Sequence, residues 1–176
     1  MSSRLGIAIA ITIVFVFLSV LGLFIVRSTV ADVQSEPEAG TGVATALADP
    51  APARAPFEGL TEAQLALADR CLLVVIADED SERVEGLREV VDLGPYEGML
   101  FVYGEDVAAR FTMANTPLTL DIGFYAADGT LVSRTTMEPC PEGSDVTCPT
   151  YASDRPFRYA LETPAGAATA GAIGAC

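Results

Sequence analysis

The sequence contains no histidine, no lysine and no tryptophan, and four cysteines among its 176 residues. Each absence removes a class of chemistry. A serine nucleophile needs a neighbouring base, most often histidine and sometimes lysine. Ser153, in the run Tyr151-Ala152-Ser153-Asp154, therefore has no triad to join. Zinc sites are built from closely spaced Cys and His, and neither histidine nor a CxxC pair is present. A catalytic dithiol is disfavoured for the same reason. No Gly-rich phosphate loop or dinucleotide fingerprint occurs, so neither metal nor cofactor is expected. All positive charge is arginine, and the formal net charge is −14. That balance opposes attraction to nucleic acid.

What the chain has instead is one long apolar run. Leu5 to Val26 carries no charged residue. As a helix it would reach roughly 33 Å, enough to cross a hydrocarbon core of about 30 Å. Residues 1–27 are read as a single membrane anchor. A cleaved signal peptide competes, with a small-residue site near Thr29 and Ala31. Arg4 and Arg27 flank the run almost evenly, so orientation rests on the cysteines as well, and both arguments put the domain outside. Residues 28–56 are rich in Ala, Pro, Gly and acids and read as a disordered tether. The folded domain is expected over 57–176.

Within that domain, Thr61 and Gln64 form a capping pattern that predicts a helix to about Arg70. Strands are predicted over 71–77, 99–103, 110–113, 120–126, 131–137 and 157–163, with Asp128-Gly129 as a hairpin turn and a short helix over 81–87. The fold class is mainly β: an antiparallel sandwich or barrel-like domain with one or two short helices, preceded by a single transmembrane helix. Cys140 and Cys148 lie in one Pro- and Gly-rich loop; Cys71 opens a core strand and Cys176 is far along the chain. Four cysteines allow three connectivities, of which Cys140–Cys148 with Cys71–Cys176 is favoured.

Several ordered blocks carry a resemblance. They are Ala77-Asp78 with Glu82-Arg83-Val84-Glu85-Gly86-Leu87; Glu97-Gly98-Met99-Leu100-Phe101; Phe111-Thr112-Met113-Ala114-Asn115-Thr116 with Leu120-Asp121-Ile122-Gly123-Phe124; Asp128-Gly129 with Pro139-Cys140 and Cys148-Pro149-Thr150-Tyr151; and Arg158-Tyr159-Ala160-Leu161-Glu162 with Ala165-Gly166. In this order they resemble the family called domain of unknown function 192. The departures are Arg88 for a usual methionine, Thr112 for a tryptophan, Thr119 for a proline, and an altered closing segment at Gly174-Ala175-Cys176. That last change puts the family's closing strand in question. The resemblance implies a compact β fold and no known reaction.

Arg83, Asn115, Asp121 and Tyr151 are the candidate ligand-binding residues. Arg83 and Asp121 can form a charge-assisted pair with Asn115 completing a polar cluster. A structural network is the competing reading of the same residues. Glu97, Asp121 and Glu162 are the carboxylates a glycosidase-type mechanism would draw on, and ordinary strand-edge positions explain them better. Phe111, Met113, Met99 and Phe101 are expected in the core. The leading expectation is a non-catalytic module of the cell envelope that binds a ligand or partner, anchored through residues 5–26. The alternatives are a carboxylate-dependent enzyme acting on envelope polymers and a structural or assembly factor.

Overall fold

A computed structural model describes residues 42–140, 148–167 and 171–176. The apolar run at Leu5–Val26 and the tether as far as residue 41 lie outside these. Among the described residues no helix is long and apolar enough to cross a membrane. Ten strands and two short helices follow in the order α1 (Val43–Ala46), β1 (Ala51–Pro52), β2 (Thr61–Leu67), β3 (Arg70–Ala77), α2 (Asp80–Glu85), β4 (Gly98–Val107), β5 (Arg110–Thr112), β6 (Leu120–Tyr125), β7 (Leu131–Met137), β8 (Thr150–Ala152), β9 (Phe157–Pro164) and β10 (Ile173–Ala175).

The main sheet runs β1-β2-β3-β4-β9-β6-β7, with β10 also on β2, and β5 pairs with β8 in a separate ribbon. The pairs are antiparallel except β3–β4, which is parallel. The domain is therefore mainly β, but its sheet is mixed, and among the described residues the other sheet is the two-stranded β5–β8 ribbon. The expected mainly β fold with one or two short helices is observed, and the expectation of a wholly antiparallel sandwich or barrel is corrected at β3–β4. Residues 78–97 between β3 and β4 form a crossover containing α2, and a crossover of that length permits parallel pairing where a tight turn would not.

Residues 61–67 form a strand, not the expected helix. Ala63, Leu65 and Leu67 are buried and alternate with Gln64 and Ala66. That period of two suits a sheet, and the pairing of Thr61–Leu67 with Arg70–Ile76 across a tight turn overrides the local capping pattern. The expected tether also ends sooner than residue 56. Val43 is 1% exposed, and Ala51 and Pro52 pair with Glu62 and Thr61. Arg54 donates to both carboxylate oxygens of Glu62 at 3.0 and 3.1 Å, while its backbone N–H donates to the Tyr96 hydroxyl at 2.6 Å. Composition hid these anchors because each is a single residue in a polar stretch.

Both faces of the sheet are covered. Val75, Met99, Phe101, Ile122, Phe124 and Phe157 pack on one face. Leu65, Leu72, Val74, Leu100, Tyr159 and Leu161 pack on the other, with Val43 and Ile173. Alternation along β4 and β9 sends neighbours to opposite cores, so each of these strands reads as a continuous apolar run. Both favoured disulfides are present, Cys71–Cys176 and Cys140–Cys148, with Cα separations of 5.8 and 5.9 Å. The first ties the end of β10 to β3, and the closing strand is kept as three residues on β2.

Candidate functional site

Helix α2 begins with a reciprocal cap. The backbone N–H groups of Asp78 and Glu79 both donate to the Glu82 carboxylate at 3.0 Å. It ends at Gly86, whose φ of +53° lies in the left-handed region that glycine adopts without strain. A Cβ at Gly86 would stand 3.4 Å from the Phe101 ring. The helix thus ends directly over that ring.

Arg83 fastens this helix. Its guanidinium donates to Val102 O at 2.7 Å, to Asp78 O, and to Asp80 Oδ1 at 2.5 Å, and it lies 5.1 Å over the Tyr103 ring. On the opposite side stands the β5–β8 ribbon. It turns Phe111 inward onto Phe101, Phe124 and Phe157, at centroid distances of 5.1, 5.7 and 6.3 Å. Cys140 bridges to Ala114 and Thr116, so the Cys140–Cys148 disulfide holds the segment carrying Met113 and Thr116.

Between helix and ribbon lies a pocket of about 540 Å³, within the range of small-molecule sites. Its interior is built from Phe101, Tyr103, Phe111, Met113, Thr116 and Glu162. Val84, Glu85 and Arg110 stand exposed at its rim, with Arg88 half-buried beside them. Glu162 is the chemically unusual member. It sits on β9, the strand between β4 and β6, paired with Met99 on one side and Ile122 on the other, and is 5% exposed. Among the described residues no donor reaches its carboxyl group, and burial alone pushes its pKa up to about 8. Burial likewise raises the Tyr103 phenol, a shift that Arg83 opposes and Glu162 assists.

The four expected site residues do not form one cluster. Only Arg83 lines this pocket. Asp121 points to the other face of the sheet, where its carboxylate accepts from Thr136 Oγ1 at 2.6 Å and from Gly166 N at 2.8 Å. The expected Arg83–Asp121 pair is therefore not made, because β6 presents Leu120, Ile122 and Phe124 toward the α2 side and Asp121 away from it. Asn115 acts through its backbone. At φ +61° it accepts from Glu89 N at 2.7 Å and donates to Cys140 O at 3.1 Å, and asparagine tolerates that conformation better than most residues. Tyr151 sits opposite Phe111 in the ribbon, and its hydroxyl accepts from Glu138 N at 3.3 Å.

The carboxylates also separate. Glu97 is tied to Arg70 at 2.7 Å and half-exposed, as an edge carboxylate would be. Glu162 is not an edge residue, and that expectation is corrected. Alternation along Phe157–Leu161 puts Glu162 on the same side as Arg158 and so does not reveal its burial, which comes from β9 lying between β4 and β6 with both its faces covered.

Comparison with known proteins defines the class. The family model of domain of unknown function 192, described as Uncharacterized ACR, matches residues 63–175, and the chain belongs to that family. A solved structure from Sinorhizobium meliloti 1021, provisionally described as a transcription regulator, is similar at 31% identity, 63% of this chain, 90% of that one and a TM-score of 0.52. A protein of unknown function from Novosphingobium aromaticivorans DSM 12444 is similar at 26% identity, 72% and 89% coverage and a TM-score of 0.55. No curated protein matches.

Proposed function

We propose that this chain is a non-catalytic ligand-binding module of the cell envelope, anchored by residues 5–26, with the pocket between α2 and the β5–β8 ribbon as its binding site. One observation carries the reading. Glu162 is 5% exposed and no described donor reaches its carboxyl, yet its oxygens are not sealed off as Thr163 Oγ1 is, so what solvates them must come from the pocket space. Glu162 faces a cavity with aromatic walls, where a ligand can supply the missing partner. The net charge of −14 opposes direct binding of this chain to DNA, so the description of the Sinorhizobium relative as a transcription regulator is not carried over. The large hydrophobics exposed among the described residues are Val84 and Val91, too little apolar surface to support the assembly-factor reading.

A thermal-shift screen tests this on the full chain in nonionic polyoxyethylene micelles, with amino alcohols, amino acids and methyl glycosides as probes. A ligand at a hundredfold excess over its Kd stabilises by about 2.7 kcal/mol. Val84→Trp, at an exposed rim position, is expected to block the mouth and abolish the shift while leaving the unliganded melting temperature intact. Shifts that persist in that variant would place binding elsewhere.

A second reading draws on the same residue. A carboxyl held protonated near neutrality is suited to general acid catalysis. The other carboxylates lining this pocket are Asp80, paired with Arg83, and the exposed Glu85. Turnover of an envelope polymer that Glu162→Gln abolishes would favour the enzyme.

A further inference from the structure

The chemistry of the pocket narrows the class of ligand, on the footing that the pocket is a binding site at all. We propose that it takes an organic ammonium ion, with the ammonium against Glu162 and, where the ligand is zwitterionic, its anionic group at the rim arginines.

The geometry is the ground for this. Glu162 is the one acidic group lying within the interior of the pocket, and apolar neighbours stand on both flanking strands, Met99 on β4 and Ile122 on β6. The remaining interior surface is aromatic or thioether: Phe101, Tyr103, Phe111 and Met113. An ammonium inserted here gains a counter-charge from the carboxylate and contact with the Phe101 and Phe111 rings, the Tyr103 ring already carrying the Arg83 guanidinium. A ligand anion in the same place would meet the carboxylate and the negative faces of those rings. The charge order reverses toward solvent. Arg110 is exposed at the mouth and Arg88 half-buried nearby, with Glu85 exposed beside them and Arg83 paired to Asp80, so among the described residues the rim offers two guanidinium groups outside any ion pair against one carboxylate. That order matches a zwitterion entering cation first.

A charged partner also changes the state of the carboxyl. In the empty pocket burial favours the protonated form. An arriving ammonium favours the carboxylate, so binding expels one proton below about pH 8. The other ionisable groups sharing the pocket are Asp80, Arg83 and Glu85 from α2, Arg88 just beyond it, Tyr103 from β4 and Arg110 from β5.

Titration calorimetry on the full chain in polyoxyethylene micelles, in amine-free buffers, supplies the test. The probes are n-butylammonium, ethanolamine phosphate and methyl β-glucoside. The inference expects both amines to bind, the affinity to rise about tenfold per pH unit from pH 6 toward 8 and then level off, and Glu162→Gln to weaken them by about 10- to 100-fold. Ethanolamine phosphate is expected to bind more tightly than butylammonium, with the difference lost in Arg110→Ala. Glucoside binding without amine binding would overturn the ammonium assignment and leave the pocket standing as a site. Amine binding with a flat pH profile, unchanged in Glu162→Gln, would overturn it too. Failure of all three probes would overturn both this inference and the reading beneath it. Vesicles with and without phosphatidylethanolamine distinguish the sources of such a group. Weakened binding of soluble ethanolamine phosphate only when that lipid is present marks a headgroup, and equal binding in both marks a free solute.

Discussion

Glu162 shows how one residue can set the pH response of a whole domain. Its pKa is about 8 in the folded chain against an ordinary value of 4.5. The folded state therefore holds a proton that the unfolded chain has released across that window. Stability is full below about pH 4.5 and falls as pH rises to about 8, by on the order of 4 kcal/mol. Glu162→Gln is expected to leave melting unchanged near pH 4 and to raise the melting temperature by several degrees at pH 8.5, as followed by circular dichroism. A parallel decline in both proteins would show that the carboxyl is not held protonated. Gly98 is the second sensitive residue. A Cβ there would lie 2.3 Å from the carbonyl oxygen of Glu162, so the two strands approach closer than any side chain allows. Gly98→Ala is expected to destabilise by about 1–3 kcal/mol, the range for overpacking, in chemical denaturation. The same substitution should disturb ligand binding, because it pushes on the strand carrying the carboxyl.

At the scale of elements, β2 decides between local and tertiary signals. Leu65 is 0% exposed on the sheet face opposite the pocket, whereas Gln64 is exposed. Leu65→Ala is expected to cost about 2–5 kcal/mol and Gln64→Ala close to nothing. A capped helix would have made Gln64 the more sensitive of the two. The strands with strong apolar runs and turn residues at their ends were legible from sequence: β3, β6, β7 and β9 fall within a residue or so of where the pattern puts them. Asp128-Gly129 was legible as a turn because glycine takes up the positive φ there. What escaped the pattern had non-local causes. The strand nature of 61–67 depends on the hairpin with β3, and β1, β8 and β10 are too short to carry periodicity. The pocket was half legible. Arg83 was singled out as a ligand residue, whereas Phe101, Phe111 and Met113 were read as core and Tyr103 only as a strand end, and partnering Arg83 with Asp121 required knowing which face of β6 looks toward α2.

At the scale of the molecule, the two disulfides constrain the chain unequally. Cys71 and Cys176 are 105 residues apart, Cys140 and Cys148 only 8. In the chain-entropy account the first restricts the unfolded state by about 5 kcal/mol and the second by about 2.5 kcal/mol. Cys176→Ser is therefore expected to lower the urea midpoint more than Cys148→Ser. Cys148→Ser is expected to act on ligand binding instead, by loosening the segment that carries Met113 and Thr116. Both effects require an oxidising compartment. Thiol labelling of intact cells with a membrane-impermeant reagent, before and after reduction, reports directly on the side of the membrane: labelling only after reduction is the expected result.

The edge of β2 has a bearing on what a protease would do to this protein. Ala51–Pro52 occupies one end of that edge and Ile173–Ala175 the other. If the proposed anchor holds the chain at a membrane, a cut before residue 42 would release a domain with its seam intact. A cut between Pro52 and Phe57 would peel the first cover away and bare the amide groups of Thr61 and Glu62, an invitation to pair with another copy. The place of scission, more than the cut itself, would decide whether the domain gains an edge that pairs with another copy.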